Sequence, residues 1–437
     1  MSISEISFLI LLILTLLLPL RLFKIKNRLT FAHPLIFYSL IMLYYTVLSP
    51  FIRIVYNETS NKLFDFRDQF ILGWKGALLS VISVLIGYSL KTNIKKKFTS
   101  YCDLDYQSLW RIGLTLNIIG LFFFMIARGF DISAFNPFNN QSNAIDFLTY
   151  GGGFSNYLIS GQEIMITGNL LMFAGSYSTQ RKFPLTLLSI LISCGIFLNS
   201  GFRFRFFFLF VSIIFFILTK ENKLKSSSAF NISIFSIILV TFLMTYIGQI
   251  RMYGLGLNFD KLSLTSDFLK NIFIQGESST FITTSGLINI VPEKIPFQNF
   301  YPIIKSLLHP FPSLFFEKNS GDYIFNVLNS IYGFRGIFQG AAYLNFGEYY
   351  LMFGWFGIFI FNFLLGYIFK RFWFWVNLHK KEPLAILVYI LNLTFTFLII
   401  SRGYLPQQLH LYIFIVFPAI GIYFLNLKRK LNTDLLK

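Results

Sequence analysis

The chain has 437 residues, of which 55% are hydrophobic, 19% aromatic and 13% charged, with a mean hydropathy of +0.63. Soluble domains carry about 25% charged residues, so the composition excludes an ordinary soluble enzyme, and it also excludes disorder, which needs high charge. The 37 Lys and Arg against 19 Asp and Glu give a net charge of +18. In a membrane protein such an excess records orientation, because basic residues collect in cytoplasmic loops.

A membrane-spanning helix needs about 20 mostly apolar residues, and the chain contains eleven such runs. They lie near residues 5–22, 33–56, 70–90, 109–127, 155–177, 184–200, 206–220, 230–249, 349–369, 384–400 and 411–427. The first run begins with Glu5 and no Lys or Arg, and a basic cluster starts at its far end with Arg21. This polarity predicts an N-terminus on the outer side and excludes a cleavable signal peptide.

Strict alternation from that start assigns the inner side to residues 21–28, 91–108, 179–183, 220–229, 370–383 and the tail from 428. With Arg111, these segments hold 22 Lys and Arg and five acids, so 17 of the 18 excess charges fall on one side. The later loops played no part in the assignment, and their agreement supports it. The charge therefore indicates orientation, with the C-terminus inside and no nucleic-acid partner.

The chain divides into residues 1–249 with eight predicted spans, a loop over 250–348 on the outer face, and residues 349–437 with three further spans. A loop of about 100 residues seldom lacks a function. Its stretch 300–316 is apolar, aromatic and interrupted by prolines, which predicts short helices at the membrane surface. The fold class is therefore an all-α polytopic membrane protein with about eleven transmembrane helices.

Arginines mark several outer helix ends. Arg203 and Arg205 lie in a very short turn between two apolar runs, Arg402 lies between the last two spans, and Arg251 follows the eighth. Arginine near lipid is costly and needs a reason. A guanidinium matches phosphate oxygens, so convergence of these side chains would form a pyrophosphate site. The alternative is that each reaches separately to lipid headgroups.

Other ionisable residues are candidates for proton transfer or substrate contact. His309 lies in the proline-interrupted part of the outer loop, His410 at the outer start of the last span, and Glu163 inside the fifth. Histidine can accept a proton near neutral pH, and His309 is the stronger candidate. Glu163 is a candidate for function or a buried partner for an arginine. Since no metal or cofactor motif is convincing, a metal-free reaction without cofactors is expected.

Short motifs carry a resemblance. The segment from Gly347 to Gly357, GEYYLMFGWFG, resembles the GE-x-Y-x-N-FG-x-x-G signature of O-antigen and capsule repeat-unit polymerases of the Wzy type, with Met352 where those proteins often have Asn. The segment from Pro312 to Lys318 is similar to the P-x(5)-K segment of that family. The turn ending in Arg203 and the pair Arg402-Gly403 resemble its arginine turns.

The resemblance implies a GT-C-like glycosyltransferase of the bacterial inner membrane, with a periplasmic N-terminus and active site and a cytoplasmic C-terminus. Donor and acceptor would be oligosaccharides on undecaprenyl pyrophosphate, used for lipopolysaccharide or capsule, and lipid pyrophosphate would leave. Membrane lipids, a flippase and a chain-length regulator are the implied partners.

The resemblance also suggests roles for particular residues. His309 or Glu348 would be the base, and Arg203 and Arg402 would act at the reacting pyrophosphate. Further substrate contacts would come from Arg205, Arg251, Lys318, Arg335, Tyr349, Tyr404, His410 and Glu163.

Three other functions stay open at this point. An O-antigen ligase would use the same donor and transfer the glycan to lipid A core. A flippase or other transporter often shows internal duplication, which this sequence lacks. A membrane acyltransferase would place a histidine such as His379 on the inner side.

Overall fold

The computed structural model describes residues 3–22, 32–61, 64–91, 104–131, 158, 160–178, 180–199, 203–220, 279–311, 323–332 and 342–435. Over these ranges the regular secondary structure is helical apart from a small antiparallel hairpin, in which Ser60–Asn61 pairs with Phe64–Asp65. The helices are α1 (Ile3–Leu22), α2 (Pro34–Leu43), α3 (Ser49–Val55), α4 (Phe70–Ser89), α5 (Tyr106–Ala127), α6 (Ile164–Ser178), α7 (Phe183–Asn199), α8 (Arg203–Lys220), α9 (Thr280–Ile290), α10 (Tyr301–Leu308), α11 (Tyr323–Tyr332), α12 (Asn345–Leu378), α13 (Pro383–Ser401), α14 (Leu405–Ile415) and α15 (Phe417–Leu435). A π-helical turn, Tyr44–Leu48, makes α2 and α3 continuous, and 3₁₀ turns at Arg67–Gln69 and Gln180–Lys182 precede α4 and α7.

Several of these helices are long and apolar enough to cross a membrane. Within the described residues five qualify: Pro34–Val55, Arg67–Ser89, Tyr106–Ala127, Asn345–Leu378 and Pro383–Ser401. A sixth arises if α14 and the start of α15, which meet at a bend of 48°, form one interrupted span. The chain is thus a multi-pass helical membrane protein. The count of eleven spans stays a prediction, and the run near 230–249 lies outside the described residues.

Two helix pairs make the most extensive contacts, α4 with α12 and α5 with α6. Glycines bring the first pair together, since a Cβ at Gly87 or Gly366 would collide with the backbone of the other helix. Small residues of this kind let membrane helices pack closely, where no hydrophobic force drives association. Between α5 and α6, Asn117 Nδ2 donates to Asn169 Oδ1 at 3.2 Å, which adds a buried polar contact.

Helix α12 breaks near its start. Phe353 and Gly354 depart from helical geometry, and Gly354 has φ +63° and ψ −148°. The two segments fold against each other: Asn345 Nδ2 donates to Asn362 Oδ1 at 3.0 Å, although the residues are 17 apart and a straight helix would separate them by about 25 Å. A Cβ on Gly357 would collide with the Tyr349 carbonyl oxygen. The segment from Gly347 to Gly357, which resembles the family signature, therefore forms the bend of a short helical hairpin.

The backbone groups released at this break have partners in the preceding loop. The amide of Gln298 donates to the carbonyl of Leu351 at 2.9 Å, and the amide of Asn299 donates to that of Met352 at 3.1 Å. The ring of Phe300 packs against that of Phe353, with centroids 4.9 Å apart. Segment 297–300 thus holds the hairpin in place.

The segment predicted as a large outer loop also supplies a buried helix. All residues of α9 except Asn289 are buried, and the helix packs against α4 and α12. Its hydroxyl groups donate to carbonyls one turn earlier, as Thr284 does to Thr280 at 2.7 Å, so polar side chains fit among apolar neighbours. Unlike the buried α9, helix α10 exposes apolar side chains, among them Ile304 and Leu307. It is one of the short helices that the apolar, proline-interrupted stretch predicted.

Contacts join helix ends that the alternation assigns to the same face. On the predicted outer side, Glu5 of α1 pairs with Arg67 before α4, with N–O distances of 2.5 and 2.7 Å. On the predicted inner side, His33 Nε2 and Tyr88 Oη are 2.9 Å apart. These contacts fit an alternating path, and the orientation in the membrane stays a prediction.

We expect Gly354→Ala to lower the free energy of unfolding by about 1–3 kcal/mol, because alanine rarely adopts its backbone conformation. The measurement is the thermal unfolding midpoint of the purified protein in detergent. Gly421→Ala in α15 is the control, since nothing lies within 4 Å of its built Cβ and alanine favours a helix. Equal midpoints for the two variants would contradict the break.

Candidate functional site

A buried carboxylate organises the start of α12. Glu348 is fully buried, and the hydroxyls of Tyr323 and Tyr343 donate to Oε1 and Oε2 respectively. The amide of Leu405 also reaches Oε1, at 3.4 Å. Both oxygens are therefore occupied, and this single side chain ties α11, α12 and the start of α14 together.

The two phenols remain donors over a wide pH range. Burial, and then the neighbouring Glu348 charge, raise the pKa of Tyr323 and of Tyr343 well above the ordinary tyrosine value. Ionising either phenol would place a second negative charge beside the carboxylate in a medium of low polarity. The cluster is thus one charged acceptor with two neutral donors.

The turn that carries Arg402 packs directly against this cluster. The amide of Gly403 donates to the Tyr343 carbonyl at 2.6 Å, and a Cβ on Gly403 would lie 2.7 Å from the Leu344 carbonyl oxygen. The side-chain amide of Gln408 donates to the Arg402 carbonyl. Glycine at this position therefore permits a close approach between the turn of half-buried Arg402 and the segment that carries Tyr343, a donor to Glu348.

An aromatic surface adjoins the carboxylate. The ring of Tyr323 lies between those of Tyr301 and Tyr404, with centroid distances of 5.8 and 5.5 Å. Lys305 Nζ lies 5.7 Å from the Tyr301 ring and 5.9 Å from the Tyr323 ring, within range of a cation–π interaction. Of these residues only Tyr404 was predicted, because the others lie in a loop without a recognisable motif.

Two predicted histidines meet. His309 ends α10, His410 lies in α14, and their rings are nearly perpendicular with centroids 5.3 Å apart. His410 Nε2 lies 2.6 Å from Ser160 Oγ. Because Ser160 is one turn before Glu163, this contact links the histidine pair to the next polar group.

Glu163 and Arg205 form a buried ion pair. Arg205 Nε lies 2.6 Å from Glu163 Oε1, with side-chain exposures of 3% and 1%. The guanidinium also lies 5.8 Å from the ring of Phe197 and 5.7 Å from that of Phe204. The structure thus agrees with the alternative that Glu163 is the buried partner of an arginine, and it places both residues beside the histidine pair.

Sequence reasoning missed Arg128, the residue that caps the C-terminus of α5. Burial and the nearby Arg205 guanidinium lower the pKa of Arg128, and Asp131 opposes that shift. The Arg128 guanidinium therefore lies close enough to Arg205, the partner of Glu163, for their charges to interact. The signal that could have found Arg128 is the one used for Arg402, an arginine at an outer helix end next to glycine.

The remaining predicted site residues lie elsewhere or are not described. Tyr349 is buried in the α12 hairpin, and its ring stacks on that of Phe361 with centroids 5.0 Å apart. Arg203 begins α8, but its side chain lies outside the described part, as do all atoms of Arg251, Lys318 and Arg335. In the part of the chain that the structure describes, no three His, Cys, Asp or Glu side chains form a group able to hold a metal.

The fold and site define a class: a multi-pass helical membrane protein whose charged, histidine and tyrosine side chains gather at one set of helix ends. Residues 1–430 match the family O-antigen polysaccharide polymerase Wzy, so the chain belongs to that family. The resemblance seen in the short motifs is thereby confirmed. No curated protein and no solved structure matches the chain. Membership supports a glycosyltransferase-type polymerase that acts on lipid-linked oligosaccharide repeat units.

We expect Tyr343→Phe to lower the free energy of unfolding by about 1–3 kcal/mol, because it removes a donor from a buried carboxylate. The raised tyrosine pKa values also predict that wild-type stability is fully present below about pH 10 and is lost above it, since phenols ionise first in the unfolded chain. Tyr343→Phe should weaken that alkaline loss. Unfolding midpoints between about pH 8 and 11 test both statements.

The matched control is Tyr56→Phe, which removes the hydroxyl of an exposed tyrosine at the end of α3. Its stability and alkaline slope should equal those of the wild type. If Tyr343→Phe behaves like Tyr56→Phe, the Glu348 cluster does not stabilise the fold.

Proposed function

We propose that the chain joins repeat units carried on undecaprenyl pyrophosphate at the periplasmic face of the bacterial inner membrane. A growing chain on one lipid is the donor, and a single unit on a second lipid is the acceptor. A hydroxyl of the acceptor attacks the anomeric carbon of the donor. The bond from that carbon to oxygen of the pyrophosphate breaks, and lipid pyrophosphate leaves with the electron pair. Neither a metal nor a nucleotide takes part.

One observation carries this proposal: four polar groups meet at ends of helices in a chain of this family. They are the Glu348 cluster, the Arg402 turn, the Lys305 aromatic surface and the histidine pair. The predicted alternation assigns all of these ends to the outer face. A reaction between two lipid-linked glycans needs cations, a base and sugar-contacting rings at the same membrane edge, and these residues provide each kind of group.

The arginines are proposed to hold the leaving pyrophosphate. Arg402 and Arg205 are the members whose side chains the structure describes, and Arg203, Arg251, Lys318 and Arg335 are proposed to join them. A planar guanidinium forms paired hydrogen bonds with phosphate oxygens. Charge that develops on the leaving group is stabilised most by cations already fixed in place.

His309 is proposed as the base that accepts the proton of the acceptor hydroxyl, with His410 beside it. The alternative was Glu348, but its oxygens already accept from two phenols and one amide. A base must come within hydrogen-bond reach of the proton that it accepts, and these contacts already occupy both oxygens. We therefore propose that Glu348 positions the Arg402 turn and the Tyr323 ring, and that Tyr404 contacts sugar.

We expect Arg402→Ala to abolish long surface glycan chains while single capped units remain, because loss of one fixed cation slows such reactions by about 10²–10³-fold. Sizing of the surface glycan on a gel, with protein amounts measured by immunoblot, checks this. Arg181→Ala is the control, since Arg181 is exposed in a predicted inner connection and should leave chain length unchanged.

Deletion of the gene separates the polymerase from the ligase. Loss of long chains with retention of one capped unit fits a polymerase, whereas loss of all capping indicates a ligase. Wild-type chain lengths in cells with normal amounts of the Arg402→Ala protein would remove Arg402 from the mechanism.

We expect His309→Gln to lower turnover by about 10²–10⁴-fold. A base must be unprotonated to accept a proton, so elongation by the wild type should decline at acidic pH, and the variant should lack this decline. Elongation of purified lipid-linked units across pH is the measurement. His379→Gln, on the predicted inner side, should keep the decline. A decline that persists in His309→Gln assigns the base elsewhere.

A further inference from the structure

The two buried carboxylates near the site differ in how their oxygens are used. Both oxygens of Glu348 accept phenolic hydroxyls. In Glu163, Oε1 accepts from Arg205 Nε at 2.6 Å, whereas Oε2 is buried and has no hydrogen-bond partner among the described residues. Glu163 therefore retains one oxygen able to receive a donor.

A second ion pair among the described residues has a different geometry. Glu5 and Arg67 use both oxygens and two nitrogens, at 2.5 and 2.7 Å, with side-chain exposures of 11% and 23%. The Glu163–Arg205 pair is far more buried, at 1% and 3%, and yet uses one oxygen. A buried acceptor without a donor is costly, so the half-used carboxylate indicates a place for a further donor.

The same turn carries another buried acceptor. Gln162 is 1% exposed, and its Oε1 has no hydrogen-bond partner in the described ranges. The turn is fixed by its backbone, since the Glu163 amide donates to the Ser160 carbonyl at 3.0 Å and the Ile166 amide donates to the Glu163 carbonyl at 3.0 Å. Two consecutive residues thus present acceptor oxygens before α6.

The chemistry of these atoms selects the ligand. A carboxylate oxygen repels phosphate and attracts a neutral donor, and a sugar ring carries several adjacent hydroxyls. The guanidinium of Arg205 adjoins the carboxylate, and Arg128 lies near Arg205. The site thus has oxygens that can accept hydrogen bonds from hydroxyls, next to guanidiniums that can bind phosphate. This arrangement matches the chemistry of a sugar linked to pyrophosphate.

We propose that Glu163 Oε2, with Gln162 Oε1 beside it, binds hydroxyl groups of the donor sugar that carries the pyrophosphate. Arg205 holds the carboxylate in place through Nε. This inference rests on the proposed function, because it takes a glycan linked to lipid pyrophosphate as donor. It makes the turn before α6 a specificity-determining element for that sugar.

The test compares Glu163→Gln with Glu5→Gln, each of which removes the negative charge from an arginine pair at the same predicted face. Elongation rates are measured against the concentration of purified lipid-linked repeat unit. We expect Glu163→Gln to raise KM about tenfold or more with kcat within a factor of about three, and Glu5→Gln to leave both unchanged. Equal KM values in the two variants, or a fall in kcat at unchanged KM, would overturn the proposal.

A second variant, Gln162→Leu, distinguishes a lost sugar contact from a folding defect, because this substitution leaves the Glu163–Arg205 ion pair intact. Removing an acceptor that lacks a donor should leave the thermal midpoint unchanged or higher, while KM rises. The lipid-free repeat-unit oligosaccharide should stabilise the wild type against heat and stabilise Gln162→Leu and Glu163→Gln less. A lower midpoint for Gln162→Leu without oligosaccharide, at unchanged KM, would mean that Gln162 supports the fold and would sink its role as a sugar contact.

The same experiments separate this inference from the proposed function. If wild-type protein elongates lipid-linked units and Glu163→Gln does so with the same KM, only the sugar contact is wrong. If wild-type protein does not elongate them at all, the proposed function fails.

Discussion

A charged side chain buried among helices needs its partner within the protein, because neither water nor lipid headgroups can reach it. In this chain the partner lies on another helix: Glu5 meets Arg67, Glu163 meets Arg205, and Glu348 meets Tyr323. Each of these contacts satisfies a charge and at the same time fixes which helix ends are neighbours. The polar groups of the candidate site therefore also hold the helices in register. A substitution at the site changes both its chemistry and the packing of the helices.

The same requirement explains the motif at the start of α12. A break in a membrane helix releases carbonyls that must find donors, and here the amides of Gln298 and Asn299 supply them. Gly354 permits the break, and the hairpin that results presents Glu348 to the two phenols. The motif is short because it specifies one local structure, a helical hairpin with a buried carboxylate. The rest of the helix needs only to be apolar.

Sequence alone predicted the helical class, the family and many of the residues that meet at the site. Arg402, His309 and His410 are predictable because charged and histidine residues are rare in so apolar a chain, and Glu348 because it lies in the motif that resembles the family signature. Tyr323 and Tyr343 were not, since tyrosine is common here and only the folded contact with Glu348 distinguishes them. Helix α9 falls within the predicted loop because its 11 residues are too few to span a membrane. Its threonine and serine hydroxyls bond to its own carbonyls. The break at Gly354 could not be predicted because the residue lies inside a continuous apolar run.

The pairing of arginine with a carboxylate also bears on how a polymerase can release its product. If fixed guanidiniums held the departing lipid pyrophosphate with no opposing charge, its release would be slow, and product release can limit turnover. Glu163 offsets one positive charge at 2.6 Å and leaves an oxygen able to interact with the sugar. With the proposed sugar contact, the donor would be recognised through both phosphate and hydroxyl, whereas the departing lipid pyrophosphate would have only the phosphate contact. The lipid pyrophosphate would then bind less tightly than the donor, which would favour its release.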